Sequence, residues 1–587
     1  MNRLNHFLIV VFFVVAALLT MNSGGQTSQP ATQPAHSPVA ADKFKAGVDL
    51  APLETIAVHT SGRVKSFESF ARSIMQEISG GRLINDQSPV FTYLDLMLHP
   101  DHYENEPLIY IKMKLMRVQI ADGLYQSGDI PADARGRIIK SGLIAPNLMS
   151  LQPVRVLLAK WSSDLVRTAK KVEAIESAMT LSNPMVLGNI LKSVPPVGIG
   201  SEAKAEDQPW RTMDELANAS SMGGANAASE QAALQAWNEL TQGWSNHDPE
   251  QVNAAAVSLA NALGSVNPEL YPATNRLEWE RWYFKNSNMT WVWLIYALSA
   301  IFLIFHIVFH WKASHWLGMS VFLIAFGFHT FAVGLRWYVA GRWPNSNMFE
   351  AVTTAAWFGG CFAVLLEPFV RKMPVRGLVA LGSAMASMTA LMAVHFLPLT
   401  LSAGIGNMMP VLNDVWLYIH TNVIIFSYCL IFMAAISAGL YLIYRTSLWL
   451  RDIEGRTTHF ARVGGAGSVI MTRPTGGSFL EGEKTSFGQV LDGVTMILME
   501  LSFVLLWTGI VMGAIWADHS WGRPWGWDPK EVFALNTFLI FAVLVHTRIK
   551  VKDKGLWTAF LAVIGCAVML FNWIIINFTI SGLHSYA

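Results

Sequence analysis

Charge is scarce in this sequence. Of its 587 residues only 14% are charged, whereas 52% are hydrophobic, and the mean hydropathy is positive. Such a chain is too apolar for an ordinary soluble enzyme and too long for one bundle alone, so a membrane protein with a soluble portion is expected. Net charge is nearly absent as well, at +1. That excludes nucleic acid as a partner, which would need a clustered basic face. Cysteine is almost missing: Cys361, Cys429 and Cys566 all lie inside apolar runs and form no CxxC pair, which points to small buried residues rather than a disulfide framework or a zinc site. No catalytic constellation stands out in the first half of the chain. His99 and His102 in 99-HPDH-102 have no third metal ligand at a telling spacing, and the stretch reads as a surface loop.

What is present divides into an anchor, a tether, a polar region and an apolar region. Residues 1–22 carry Arg3 and then a short apolar core, the pattern of a signal sequence or signal anchor, with no clear A-x-A site after it. Residues 23–41 are rich in Ser, Thr, Gln and Pro and form a flexible linker. Residues 42–288 have soluble composition, with helix-like periodicity over Ser66 to Ile78 and Ala232 to Leu263. They read as a mainly helical extracytoplasmic domain. From 289 to 587 come apolar runs near 291–311, 316–339, 347–368, 376–396, 417–444, 496–516, 532–549 and 557–579, each long enough, or nearly so, for the roughly 20 residues a membrane helix needs. The fold class expected is therefore an all-α polytopic membrane protein, with about eight C-terminal transmembrane helices behind a signal anchor and a helical outer domain.

Orientation follows from the basic residues in the short connections. Those after the third span (Arg371, Lys372, Arg376), the fifth (Arg445, Arg451, Arg456, Arg462, Arg473, Lys484) and the seventh (Arg548, Lys550, Lys552, Lys554) are basic, whereas the alternate connections carry Arg342, none, and then Arg523 and Lys530. The basic side is cytoplasmic. The soluble domain, the segment 516–531 and the C-terminus then lie outside.

This topology gives each histidine a depth. His420 starts the fifth span on the outer side and His584 follows the last span on the same side, while His546 lies about 22 Å down the seventh helix at the usual rise, near the inner face. His306 and His310 share that inner depth, and His329 sits mid-span. Taken singly, a histidine near a membrane interface usually only hydrogen-bonds. Two at one level on different helices can also hold a haem by both axial positions, and ionisable residues inside a membrane are functional candidates by default.

Between the outer histidines stands 516-WADHSWGRPWGWDPKE-531. Part of it is plain architecture: Asp528, Pro529 and Glu531 make a helix start with a capping box, and Trp516 suits an interfacial belt. Trp521, Trp525 and Trp527 lie in a Gly- and Pro-punctuated loop, where a flat apolar ligand explains them better than membrane anchoring. Arg523 and Lys530 can meet its carboxylates through charge-assisted hydrogen bonds.

These residues resemble a known family. The tryptophan-rich run looks like the WWD signature of haem-handling proteins, and 416-WLYIH-420, 546-HTR-548, 582-GLHSY-586 and 336-RWYVAGRWPNSNMFEAVTTAAW-357 look like the CcsA/ResC-type cytochrome c assembly proteins of system II. The resemblance covers roughly residues 320 to 587 and is weak over the soluble domain, where 62-GRVKSFESFAR-72 alone is similar to extended members.

What the resemblance implies is a haem exporter and holocytochrome c synthase in the bacterial inner membrane. Its substrate would be haem b, bound with His420, His584 and His546 as iron ligands. His420 and His584 would be the external pair, and His546 would accept haem from the cytoplasmic side. Trp516, Trp521, Trp525 and Trp527, with Arg523 and Arg336, would contact the haem, and His420, His584, Trp521, Trp525, Trp527 and Asp528 would form the catalytic set of the external site. The partners implied are an apocytochrome c with a CXXCH motif and thiol-reducing proteins of the pathway. A CcsB/ResB-type subunit is implied too, because the half of the family that carries a second intramembrane histidine is not recognised in this chain. Otherwise His306, His310 or His329 takes that place. His329 is favoured, since Arg336 is seven residues on and shares its helix face. Two rivals stay open: a transporter that hands haem to another synthase, and a cytochrome b-type quinol oxidoreductase with inner and outer haems.

Overall fold

A computed structural model describes residues 38–164, 167–197, 204–221, 228–370, 376–407, 412–450, 487–551 and 553–577. The anchor at 1–22, most of the linker, the basic connections at 371–375 and 451–486, and His584 lie outside them.

The polar region folds into a mainly helical domain, trimmed by two small two-stranded antiparallel sheets. These are β1 (Ala57–Thr60) with β2 (Arg63–Ser66), and β3 (Ile109–Tyr110) with β4 (Leu143–Ile144). Ser66 closes β2 and caps α1 (Phe67–Ser79) by accepting from the Ser69 N–H, and Gly80 ends that helix at φ +68°, the left-handed conformation glycine adopts without penalty. Next comes α2 (Pro89–Leu98). The periodic run expected over 232–263 is in fact two helices, α3 (Ala228–Ser245) and α4 (Pro249–Val266). Pro249 has no N–H to continue a helix, and Asp248 caps the new one from the Glu250 and Gln251 N–H groups. The turn leaves His247 at φ +54°.

Helix α5 (Thr274–Lys285) joins this domain to the bundle. It presents Trp279 and Trp282 to the surface beside Phe331, an aromatic cluster of the kind found at membrane interfaces. Buried Glu280 pairs with Arg63 of β2 at 2.8 Å. The same guanidinium donates to the carbonyls of Ile405 and Val339, so the domain is fastened to the ends of the spans it sits on.

Among the described residues the apolar region forms eight helices long and apolar enough to cross a membrane. They are α6 (Trp293–Phe309), α7 (Lys312–Ala340), α8 (Met348–Val370), α9 (Leu378–Phe396), α10 (Val415–Trp449), α11 (Phe487–Trp521), α12 (Pro529–Lys550) and α13 (Lys554–Leu570), the last extended by a π-helical turn, Phe571–Ile576. The protein is an all-α polytopic membrane protein. Large apolar side chains such as Leu323, Ile324, Phe328, Leu365 and Phe369 face outward, as lipid-facing positions should. Inside, one continuous core runs from Val292 to Met569.

Two spans are longer than hydropathy suggested. Helix α11 begins at Phe487 rather than near 496 because Asp492, which interrupts the apolar run, is neutralised by Arg548 of α12 through two 2.7 Å contacts. Helix α10 continues past 444 because Arg445 pairs with Asp553. Charged residues marked the expected ends, and pairing keeps them helical.

Candidate functional site

The connections 341–347, 397–407, 412–414 and 522–528 gather at the end of the bundle that carries the soluble domain. There Gln76 donates to the Pro398 carbonyl and Lys112 to that of Leu399. His420 lies at this end, in the second turn of α10, with its ring roughly parallel to Trp516 of α11 at a centroid distance of 5.9 Å and an interplanar angle of 20°. The opposing surface of α11 is 509-GIVMG-513, and this spacing makes the approach possible. A Cβ on Gly513 would stand 3.1 Å from His420 Nδ1, and one on Gly509 2.6 Å from Ile424 Cδ1. Sequence reading missed these two glycines, although G-x-x-x-G in an apolar segment marks close helix packing.

Around His420 is a cavity of about 290 Å³, near the lower end of the range for ligand pockets. Its walls are largely apolar: Met348, Ile424, Ile510, Trp516, Trp525 and Trp573. A few polar groups converge on them, from Asn345, Thr421, Tyr428, Lys530, Glu531 and Asn572. The Asn572 amide donates to Tyr428 Oη at 3.1 Å. Asn572 and Trp573 belong to the π-turn, a rare element often found where function needs an irregular helix.

The tryptophans divide in role. Trp516 is almost fully buried and Trp525 is half-buried, and both line the cavity. Trp521 is not in the loop, as expected from sequence, but is the last residue of α11. It packs edge-on to Trp516 at 4.8 Å and supports the wall from behind. Trp527 is 75% exposed, at φ +55°, and perpendicular to Trp525. Arg523 is exposed and away from the lining, whereas Lys530 is part of it. Asp528, expected among the catalytic residues, is buried and serves as the cap of α12. Its side chain accepts from the Lys530 N–H, and Glu531 Oε2 accepts from the N–H groups of Asp528 and Gly526. The capping box expected from 528-DPKE-531 is present, and it positions the loop rather than reacting.

A strap between α7 and α8 holds the other side of His420. Trp343 Nε1 donates to Asn422 Oδ1 at 3.0 Å, and Asn345 Nδ2 donates to Thr421 Oγ1 at 2.8 Å. Glu350 accepts from the Ser346 N–H and hydroxyl. It also pairs with Arg342 at 3.0 Å and with Arg336 at 2.8 Å. Arg336, expected to contact a cofactor, is instead fully enclosed, with its remaining donors on the carbonyls of Ala403 and Gly404.

The other histidines are separate from this cavity. His329 is buried in the middle of α7, with Nδ1 3.2 Å from the Tyr296 hydroxyl. His546 is exposed toward the opposite end of α12 and bonds the Ala542 carbonyl. His310 ends α6 in a left-handed cap. His306 packs against His315, which sequence reading passed over, with ring centroids 4.7 Å apart and the planes tilted by 56°. Arg376 Nε lies 2.9 Å from His315 Nε2. The described chain approaches His584 as far as Asn577, itself a cavity residue.

Comparison with known proteins agrees with this layout. The family described as cytochrome C assembly protein matches residues 345–584, a stretch that starts at the strap and includes the tryptophan segment. The chain is 33% identical over 275 residues to the cytochrome c biogenesis protein CcsA of Synechococcus elongatus, covering 43% of this chain and 82% of the relative. It is 30% identical over 293 residues to CcsA of Guillardia theta, covering 46% and 90%, and 29% identical over 297 residues to CcsA of Mesostigma viride, covering 50% and 91%. With a bundle of eight membrane-spanning helices and this degree of likeness, the chain belongs to the CcsA family and is an integral membrane protein of cytochrome c biogenesis.

Proposed function

We propose that the cavity beside His420 is the external haem site of a holocytochrome c synthase, facing the periplasm of a bacterial inner membrane. The observation that carries this reading is the position of His420. Its imidazole borders an apolar cavity walled by Trp516 and Trp525, and Gly513 leaves room for the ring. An imidazole is a good iron ligand and indole faces suit a porphyrin plane. Seven residues of extended chain span up to about 25 Å, so His584, seven residues after Asn577, has the reach to supply the second axial nitrogen.

In this reading haem b is substrate, taken up at His546 near the cytoplasmic face and passed to the outer pair. His329 stands between those levels, buried mid-span, as a second intramembrane ligand or as the neighbour of one from a CcsB/ResB-type subunit. Lys530 would meet a propionate by a charge-assisted hydrogen bond. An apocytochrome CXXCH segment then brings two thiols to the vinyl groups. Each S–H adds across one C=C bond, forming a C–S bond and placing the proton on the other vinyl carbon, so no net oxidation occurs. The chain supplies position rather than a nucleophile.

The test is co-expression with a CXXCH apocytochrome in a host stripped of its own maturation system, with and without a CcsB/ResB-type partner, followed by haem staining of a denaturing gel. Stain at the mass of the cytochrome, lost on His420→Ala and on His584→Ala, is expected. Haem retained by the purified membrane protein with no stained cytochrome in any combination would replace the synthase reading with transport alone.

A further inference from the structure

The outer domain contains a cluster that neither the CcsA resemblance nor the cavity beside His420 uses. Ring nitrogens of His99, His102 and His247 lie within 4.8 Å of one another. We propose that these three histidines bind one borderline transition-metal ion, zinc(II) or copper(II), at the surface of the outer domain.

The reading of 99-HPDH-102 as a plain surface loop is corrected by the fold. His99 ends α2, and Pro100 starts a short 3₁₀ turn, Pro100–Tyr103. Residues three apart are eclipsed in such a turn, so His99 and His102 face the same way with ring centroids 5.0 Å apart. The third ligand was invisible in sequence because it comes from the turn between α3 and α4. His247 there stacks on His99 at 5.4 Å with the rings 10° from parallel. It is held at φ +54°, a conformation uncommon for a residue with a Cβ and often associated with a functional site.

Asp95 completes the arrangement. It is buried one helical turn before His99, with its two carboxylate oxygens 3.5 Å from His99 Nδ1 and 3.6 Å from His102 Nδ1. A carboxylate on the Nδ1 side of an imidazole fixes the ring and leaves the other nitrogen for a metal. The histidines are not there to satisfy Asp95, because Tyr103 Oη and Trp244 Nε1 already donate to it at 2.9 Å each. Three imidazoles with a water in the fourth position suit zinc(II), and copper(II) accepts the same nitrogen donors. His102 and His247 are exposed, which gives an ion a route in.

The experiment uses the full-length protein purified in detergent, stripped with a chelator and equilibrated with zinc(II) or copper(II) against a weak competing chelator, with retained metal measured by elemental analysis. About one equivalent per chain is expected. His102→Gln, at a half-exposed side chain, is expected to weaken binding at least tenfold, and the His99→Gln/His102→Gln/His247→Gln variant to abolish it. His420→Ala and His546→Ala are expected to retain the equivalent. Cobalt(II) substitution should give tetrahedral visible absorption that the triple variant lacks. Unchanged circular dichroism of His102→Gln shows that loss of metal is not loss of fold. Retention of no metal by the wild-type chain, or equal retention by the triple variant, would overturn the proposal.

Discussion

The outer domain and the membrane bundle are held together by different means. The domain packs aromatic and aliphatic side chains such as Phe67, Phe70, Tyr93 and Trp244 into cores shielded from water, where the hydrophobic effect drives burial. The bundle gains little from that source, since lipid is as apolar as leucine. Its helices approach through small residues, as Gly509 and Gly513 allow between α10 and α11. Several of its charges come in pairs, Arg336 with Glu350, Asp492 with Arg548 and Arg445 with Asp553. Removing one partner should therefore be far more damaging in the bundle than on the domain surface.

Glu350→Ala tests this most severely. It would leave Arg336 unpaired in a fully enclosed position, and a loss of about 3–5 kcal/mol is expected, read as a large fall in melting temperature in detergent. Asp122→Ala in the outer domain breaks a pair with Arg135 that is about 40% exposed on both sides and should cost at most ~1 kcal/mol. Equal losses would remove the contrast. Between these extremes, Gly509→Ala and Gly513→Ala should each cost about 1–3 kcal/mol through overpacking. If the cavity is the proposed haem site, only Gly513→Ala should also shift the absorption of the haem held there, because its added carbon meets His420. Asp528→Ala removes a helix cap, with an expected loss of about 1 kcal/mol.

In the outer domain one group responds to pH rather than to substitution. Burial, reinforced by the Arg63 charge, lowers the Lys65 ammonium to about 8. Between about 8 and the ordinary lysine value the unfolded chain holds the extra proton, so this group makes stability rise with pH across that window. Labelling of Lys65 by an amine-reactive probe should show a midpoint near pH 8, ahead of the other lysines. A midpoint near 10 would mean that the amine remains hydrated.

The same contrast explains what was legible in the sequence. The spans were readable because runs of about 20 apolar residues leave few alternatives, and the start of α11 was misplaced because Asp492 finds a partner on another helix. His420 and the tryptophan run were expected at the same end of the bundle, and the structure brings His420, Trp516 and Trp525 to one cavity. The position of Trp521 was not legible, because the helix continues past the apolar run. The enclosure of Arg336 was not readable, because its partner Glu350 lies across a turn, on the next helix. In the outer domain even periodicity misled: the 232–263 run hides the turn at His247, and no local pattern connects that residue with His99 and His102.

The strap between α7 and α8 has an entropic consequence. Glu350 anchors it through two arginines and Ser346, while Trp343 and Asn345 bond the two residues that follow His420. A ligand entering the cavity beside His420 does not have to order that wall, so less of its interaction energy is spent on immobilising side chains. The affinity of the site is thus partly stored in an ion-pair network that the ligand never touches.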